Sequence, residues 1–184
     1  MATKQEILLK ALEHFSQKGY ATTTLDEIAK DLNITKPAIY YHYKNKMTLY
    51  NEIFKYFFDQ ITFVDQQSLE KNIIHYIDVL SHLFLQNPQF AKLFSKELAN
   101  EGKNLQEETL KITSKTIKFL SNALKKTSLN PFFIQTLVIS SFTTYLNTVE
   151  LRKKVTGITN ITTSDFDVKE EIETIITNYI KAHQ

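Results

Sequence analysis

The chain has 184 residues, 42% of them hydrophobic and 23% charged, with a formal net charge of +2. That is the balance of a folded domain with a sizeable core, and the net charge alone is too small to argue for a nucleic-acid partner. With no cysteine and only three Gly and three Pro, disulfides, thiolate metal sites and cysteine nucleophiles are excluded, and turn chemistry is too scarce for a many-stranded sheet or a phosphate-cradling loop.

The N-terminal run MATKQEILLKALEHF carries charges inside its apolar stretch, and nowhere do about 18 uncharged apolar residues follow one another, so neither a signal peptide nor a membrane span is expected. A cytoplasmic location follows as the expectation. Ile7, Leu8, Ala11, Leu12 and Phe15 recur at helical spacing, with Gly19 beyond them as a helix end, which predicts a first helix over about 4–17. Thr24 opens a T-x-x-E capping box with Glu27, starting a second helix that runs to about Asp31 with Leu25, Ile28, Ala29 and Leu32 inward.

Asn33 and Ile34 separate it from Thr35, a second candidate cap, with Pro37 in the first turn of a third helix over about 36–43. So tight a junction between two short helices reads as helix-turn-helix. Further helices are expected at 47–62, capped by Asn45, and at 69–86, 88–99, 105–126, 132–154 and 168–182, the last with Ser164 or Asp167 as its cap.

The third helix lines up Tyr40, Tyr41, His42 and Tyr43, and four rings in a row fit no amphipathic period. If Ile39 and Tyr43 face helices 1 and 2, then Lys36, Ala38, Tyr40, Tyr41 and His42 are left on the outer surface. Hydroxyls and imidazole nitrogens there can bond phosphate oxygens, and rings or the Ala38 methyl can touch thymine methyls. Between Lys36 and Lys55 stand four lysines, Lys36, Lys44, Lys46 and Lys55, against the single acid Glu52, a local positive edge suited to phosphates. The alternative is that these rings are core.

The run TTTLDEIAKDLNITKPAIYYHYKNKMTL, extended back to ILLKALEHFSQKGY, resembles the DNA-binding head of the TetR family of bacterial transcriptional regulators. Phe15, Gly19, Thr23, Thr24, Ile28, Ala29, Ile34, Tyr40, His42, Tyr43, Lys46 and Leu49 carry the resemblance over about the first 50 residues. It implies an all-α protein, with a three-helix helix-turn-helix head and a six-helix body that binds ligand and dimerises. It also implies a homodimer on a near-palindromic double-stranded operator, with Thr35, Lys36, Pro37, Ala38, Tyr40, Tyr41 and His42 as contact surface and Thr24 and Lys46 holding the DNA backbone. Many family members have Gly where Pro37 stands and Glu where Met47 stands, so no operator sequence carries over. The expected division is a head over 1–46, or to about 61 with the linking helix, and a body over 47–184.

For the body, an inducer that is small and mainly apolar or aromatic would take Phe57, Phe58, His75, His82, Phe84, Phe94, Phe119 and Phe142 as pocket wall, plain core being the alternative for each phenylalanine. Ile134, Val138, Phe142 and Tyr145, with Ile172, Ile175 and Tyr179, form stripes expected to pair two copies; packing within the chain is the rival. His75, Asp78 and His82 share a helix face, but seven residues separate the two histidines, about 10 Å of helix, so no metal is expected. No cofactor and no catalytic constellation is expected either. The expected function is a ligand-released repressor, against two alternatives: a DNA-binding protein of the same fold without a ligand switch, or a helical enzyme or carrier.

Overall fold

The structure is a computed structural model that describes residues 2–159 and 166–183. Among these residues it is all helical, without strands: α1 (Lys4–Lys18), α2 (Leu25–Asp31), α3 (Lys36–His42), α4 (Lys46–Asp59), α5 (Leu69–Leu85), α6 (Pro88–Ala99), α7 (Glu107–Thr113), α8 (Lys115–Leu124), α9 (Pro131–Asn147), α10 (Val149–Thr159) and α11 (Val168–Lys181). The chain divides into two compact units, one formed by residues up to Gln60 with Lys92–Thr113, the other by Ile61–Ala91 with the chain from Ser114 onward. In this division α4 and α7 count with the head.

In the first unit α1 starts at a capping box that the sequence reading missed although Thr3 and Glu6 spell it: Glu6 N–H donates to Thr3 Oγ1 (3.2 Å) and Thr3 N–H to Glu6 Oε2 (2.7 Å). Its apolar face, Ile7, Leu8, Ala11, Leu12 and Phe15, is buried. Gly19 stops it at φ +83°, its N–H bonded to Phe15 O, a backbone position that side-chain-bearing residues avoid. α4 packs on α1 and on α7, with Leu49, Ile53, Phe54, Phe57 and Phe58 inward. Helix formation is thus set by burial of one face per element.

In the second unit α5 is the centre, packed on α8, α9 and α11. Ile73, Ile77, Leu80 and Phe84 of α5 meet a core that includes Ile134, Val138 and Phe142 of α9 and Ile172, Ile176 and Ile180 of α11, all buried. The pairs Asp78–Lys169 and Lys181–Glu70 (3.0 Å) flank the α5–α11 seam. Asp167 caps α11, accepting from Lys169 and Glu170 N–H; Ser164, the other expected cap, lies outside the described residues.

Two expected helices are each broken in two. The one over 105–126 parts at Ser114, next to Thr113, whose hydroxyl donates to Leu110 O (3.1 Å). The one over 132–154 parts at Thr148, whose hydroxyl donates to Thr144 O (2.7 Å) while Arg152 reaches back to Tyr145 O (2.7 Å). Side-chain hydroxyls that bond a carbonyl one turn back compete with the helix ladder and bend it, a tertiary-scale consequence that apolar periodicity does not register. Beyond the second break, α10 buries none of its residues and leaves Leu151, Val155 and Ile158 exposed.

Candidate nucleic-acid interface

The head is assembled by local rules. Thr24 accepts from Glu27 N–H (3.3 Å), and Thr24 N–H donates to Glu27 Oε2 (3.0 Å), closing the expected capping box at the start of α2. α2 ends in a Schellman turn: Asn33 stands at φ +52°, with Ile34 N–H on Ala29 O (2.9 Å) and Asn33 N–H on Lys30 O (3.1 Å). Asparagine tolerates that left-handed position better than most side chains. Thr35 does hold the cap position of α3, but its side chain makes no cap hydrogen bond.

α3 is held by few groups. Ile39 is its one buried residue, and Tyr43 directly after it is buried too, its hydroxyl donating to Lys4 O (2.8 Å). Burial pushes the Tyr43 phenol above its ordinary pKa. The other rings point out: Tyr40 is 47% and Tyr41 77% exposed, with Tyr41 edge-on to His42 at 5.0 Å. Thr35 and Pro37 are exposed as well, and Lys36, Ala38 and His42 half-buried. Exposed tyrosines over a buried isoleucine form a surface that offers hydroxyl donors and ring faces outward without loosening the head.

The lysines are less free than their count in the sequence implies. Lys36 donates to Asp26 (2.8 Å), which raises its pKa, and Lys55 reaches Glu52 (3.2 Å) and Glu108 (3.4 Å). Lys46 donates to Tyr20 O (2.9 Å) and Thr23 O (3.0 Å), its ammonium 4.4 Å from the Tyr20 ring centroid. Its first role is therefore to brace the α1–α2 turn. Asp26 and Glu108 come from outside the 36–55 window, and so the expected positive edge is corrected to a mixed one in which Lys44 is exposed.

The remaining expected residues separate. Ile134, Val138 and Phe142, expected at a dimer seam, are fully buried by the chain's own core, and Ile172 is buried with them; packing within the chain takes these positions. Tyr145 and Tyr179 are half-buried, while Ile175 is 61% exposed, as are Phe132 and Phe133 at 66% and 47%. Of the pocket residues, Phe57, Phe58 and Phe94 are core of the first unit, and Phe84 and Phe142 core of the second. His82 is exposed on α5, so it is not a wall residue.

His75 accepts from Val64 N–H (3.1 Å) beside a stack in which Phe63 lies 4.7 Å from Phe119 and 5.7 Å from Tyr76. The Tyr76 hydroxyl is buried there without a hydrogen-bond partner. His75 is thus engaged by backbone and Asp78 by Lys169. Among the described residues no helix is long and apolar enough to cross a membrane.

Residues 7–53 match the family model for bacterial regulatory proteins of the tetR family. The match covers α1 to the first half of α4, so it is the head that resembles that of the tetR family. Among curated relatives, the HTH-type negative transcriptional regulator IcaR of the biofilm operon icaADBC from Staphylococcus aureus is 39% identical over 69 residues, 38% of this chain. The match spans only 37% of that relative's length. A Rhodococcus tetR-family regulatory protein superposes with a TM-score of 0.71 at 18% identity, covering 98% of this chain and 96% of its own. Two others share the fold: Bacillus subtilis FadR in complex with stearoyl-CoA, with a TM-score of 0.62 at 14% identity over 95% of this chain and 96% of its own, and BioQ with its natural double-stranded DNA operator, with a TM-score of 0.59 at 15% identity over 87% and 97%. The family model covers the head, and the likeness to the solved structures is one of fold.

Proposed function

We propose that the chain is a sequence-specific DNA-binding transcriptional repressor that acts as a homodimer, with α3 in the major groove of each half of a near-palindromic operator. The observation that carries this is the outward display of Tyr40 and Tyr41 over buried Ile39 and Tyr43, in a head that matches a negative regulator at 39% identity. Thr35, Lys36, Pro37, Ala38 and His42 complete the contact surface, with Thr24 at the start of α2. A cytoplasmic location goes with this role. The two recognition helices of a dimer must sit about 34 Å apart to reach successive major grooves, and Phe132, Phe133, Ile175 and Tyr179 supply the surface of α9 and α11 that a second copy would cover.

A small, mainly apolar or aromatic ligand would release the repressor by binding better to a body whose head spacing is wrong for the operator. The ring stack of Phe63, Tyr76 and Phe119 supports that chemistry, and FadR, which shares the fold, is known in complex with stearoyl-CoA. The test is selection of genomic fragments by the purified protein at about 0.15 M salt, where non-specific electrostatic binding is suppressed. A shared near-palindrome, lost with Tyr40→Ala, is the expected result. Recovery of unrelated fragments, equally with the variant, would refute the reading.

A further inference from the structure

Glu97 is an acid in a surface-like run, SKELANEGKN, yet only 3% of it is exposed. Its carboxylate accepts from the Tyr50 hydroxyl at 2.6 Å, from Asn104 N–H at 2.8 Å and from Asn104 Nδ2 at 2.9 Å. A buried carboxylate is costly unless its lone pairs are filled, so this arrangement holds the α6–α7 connection to α4 by directed bonds. Asn51, the next residue of α4, adds two more, donating to Asn104 O (2.9 Å) and accepting from Gln106 N–H (2.8 Å).

From there a continuous series of contacts runs into the helix-turn-helix. The Tyr50 ring stands edge-on to Phe15 at 5.0 Å and to Tyr20 at 4.8 Å. Lys46 lies over the far partner, Tyr20, and holds the carbonyls of Tyr20 and Thr23. Thr23 is fully buried, its hydroxyl on Gly19 O (2.9 Å), and the next residue caps α2. A phenylalanine at position 50 would fill the same volume, but without the bond to Glu97 the tilt of the ring against Tyr20 would be set by packing alone.

We propose that Glu97 is a positioning residue for the recognition helix, fixing the Tyr50 ring and through it the α1–α2 turn on which α2 and α3 are mounted. Its consequence for DNA rests on the function proposed above, whereas its effect on the turn does not. The experiment uses the full chain with Tyr50→Phe, Glu97→Ala and Glu97→Gln, and follows amide hydrogen exchange at Thr23, Leu32, Asn33 and Ile34, whose N–H groups bond within the turn and the end of α2. Ala11 and Leu12 of α1 are the reference.

Loss of a hydrogen bond to a buried carboxylate should speed exchange at those four amides on the order of tenfold in Tyr50→Phe, leaving Ala11 and Leu12 unchanged. Glu97→Gln, which can still accept from Asn104 N–H and meet the Tyr50 hydroxyl, should stay near wild type even if Glu97→Ala fails to fold. Capture of a fragment that the wild-type protein recovers from sheared genomic DNA should weaken on the order of tenfold in Tyr50→Phe. Exchange at the four amides equal to wild type in Tyr50→Phe, or rising equally at Ala11 and Leu12, overturns the proposal. If the wild-type protein recovers no fragment, the DNA-binding reading fails, and the exchange pattern still decides the role of Glu97.

Discussion

The division of α3 into two anchors and an outer surface can be tested by separating stability from binding. Ile39 is fully buried, and Ile39→Ala removes three methyl or methylene groups; at about 0.8 kcal/mol each that is roughly 2.4 kcal/mol of transfer, with a cavity term that brings the cost to about 3 kcal/mol. A seven-residue helix cannot stand by itself, and so α3 should loosen as a whole. Tyr41, 77% exposed, sits on the same helix, and Tyr41→Ala should change stability by no more than about 0.5 kcal/mol. Urea unfolding followed by circular dichroism measures both, with an unchanged slope showing that the midpoint shift is a stability change. Genomic-fragment capture at about 0.15 M salt should then be lost in Tyr41→Ala with its fold intact. A Tyr41→Ala protein that loses more than about 1 kcal/mol, or an Ile39→Ala protein that loses less, would show that the inward and outward faces of α3 have been misassigned.

Glu27 is held down to a pKa of about 2 from 4.5, first by the Lys18 ammonium (2.7 Å) and then by Thr24 N–H. A depressed folded-state pKa gives stability that is present above 4.5 and lost as pH falls toward about 2; the melting temperature should drop across that window, and less steeply in Glu27→Gln. Gly19→Ala meets no atom within 4 Å but keeps φ +83°, so its cost is backbone strain alone, about 1–3 kcal/mol, whereas Gly157→Ala inside α10 should be neutral or stabilising by up to about 1 kcal/mol in the same thermal melts. Ile175→Glu, at a 61% exposed position, should leave the melting temperature of the isolated subunit unchanged and shift sedimentation from dimer to monomer; an unaltered dimer would move the interface elsewhere.

The head was legible because its signals are local. Thr24 and Glu27 lie three residues apart, Asn33 supplies its own left-handed turn, and Ile39 with Tyr43 are one helical turn from each other, so that spacing alone fixes which groups meet. What spacing could not supply was the partner of a charge. Lys36 and Lys55 were counted against Glu52 alone, while Asp26 and Glu108 neutralise them from other segments. Glu97 gave no sign at all, since a carboxylate between Lys96 and Leu98 reads as surface until α4 is laid over it. The apolar stripes of α9 and α11 suggest a seam between two copies, but periodicity does not say what buries a stripe, and Ile134, Val138 and Phe142 are covered by α5, α8 and α11 of the same chain.

The same reasoning explains why the family match runs to residue 53 and does not stop at the end of α3. The orientation of α3 is not its own property: Lys36 ties its first turn to Asp26 of α2, and the Tyr43 hydroxyl ties its end to Lys4 of α1. Lys46, at the first position of α4, closes the α1–α2 turn from the other side, and Leu49, Tyr50 and Ile53 cover the floor of the head. A chain that must present Tyr40 and Tyr41 at a fixed angle therefore has to specify the first half of α4 as tightly as α3 itself. The second half of α4, with Phe57 and Phe58 buried, is free to follow whatever the rest of the chain packs against it.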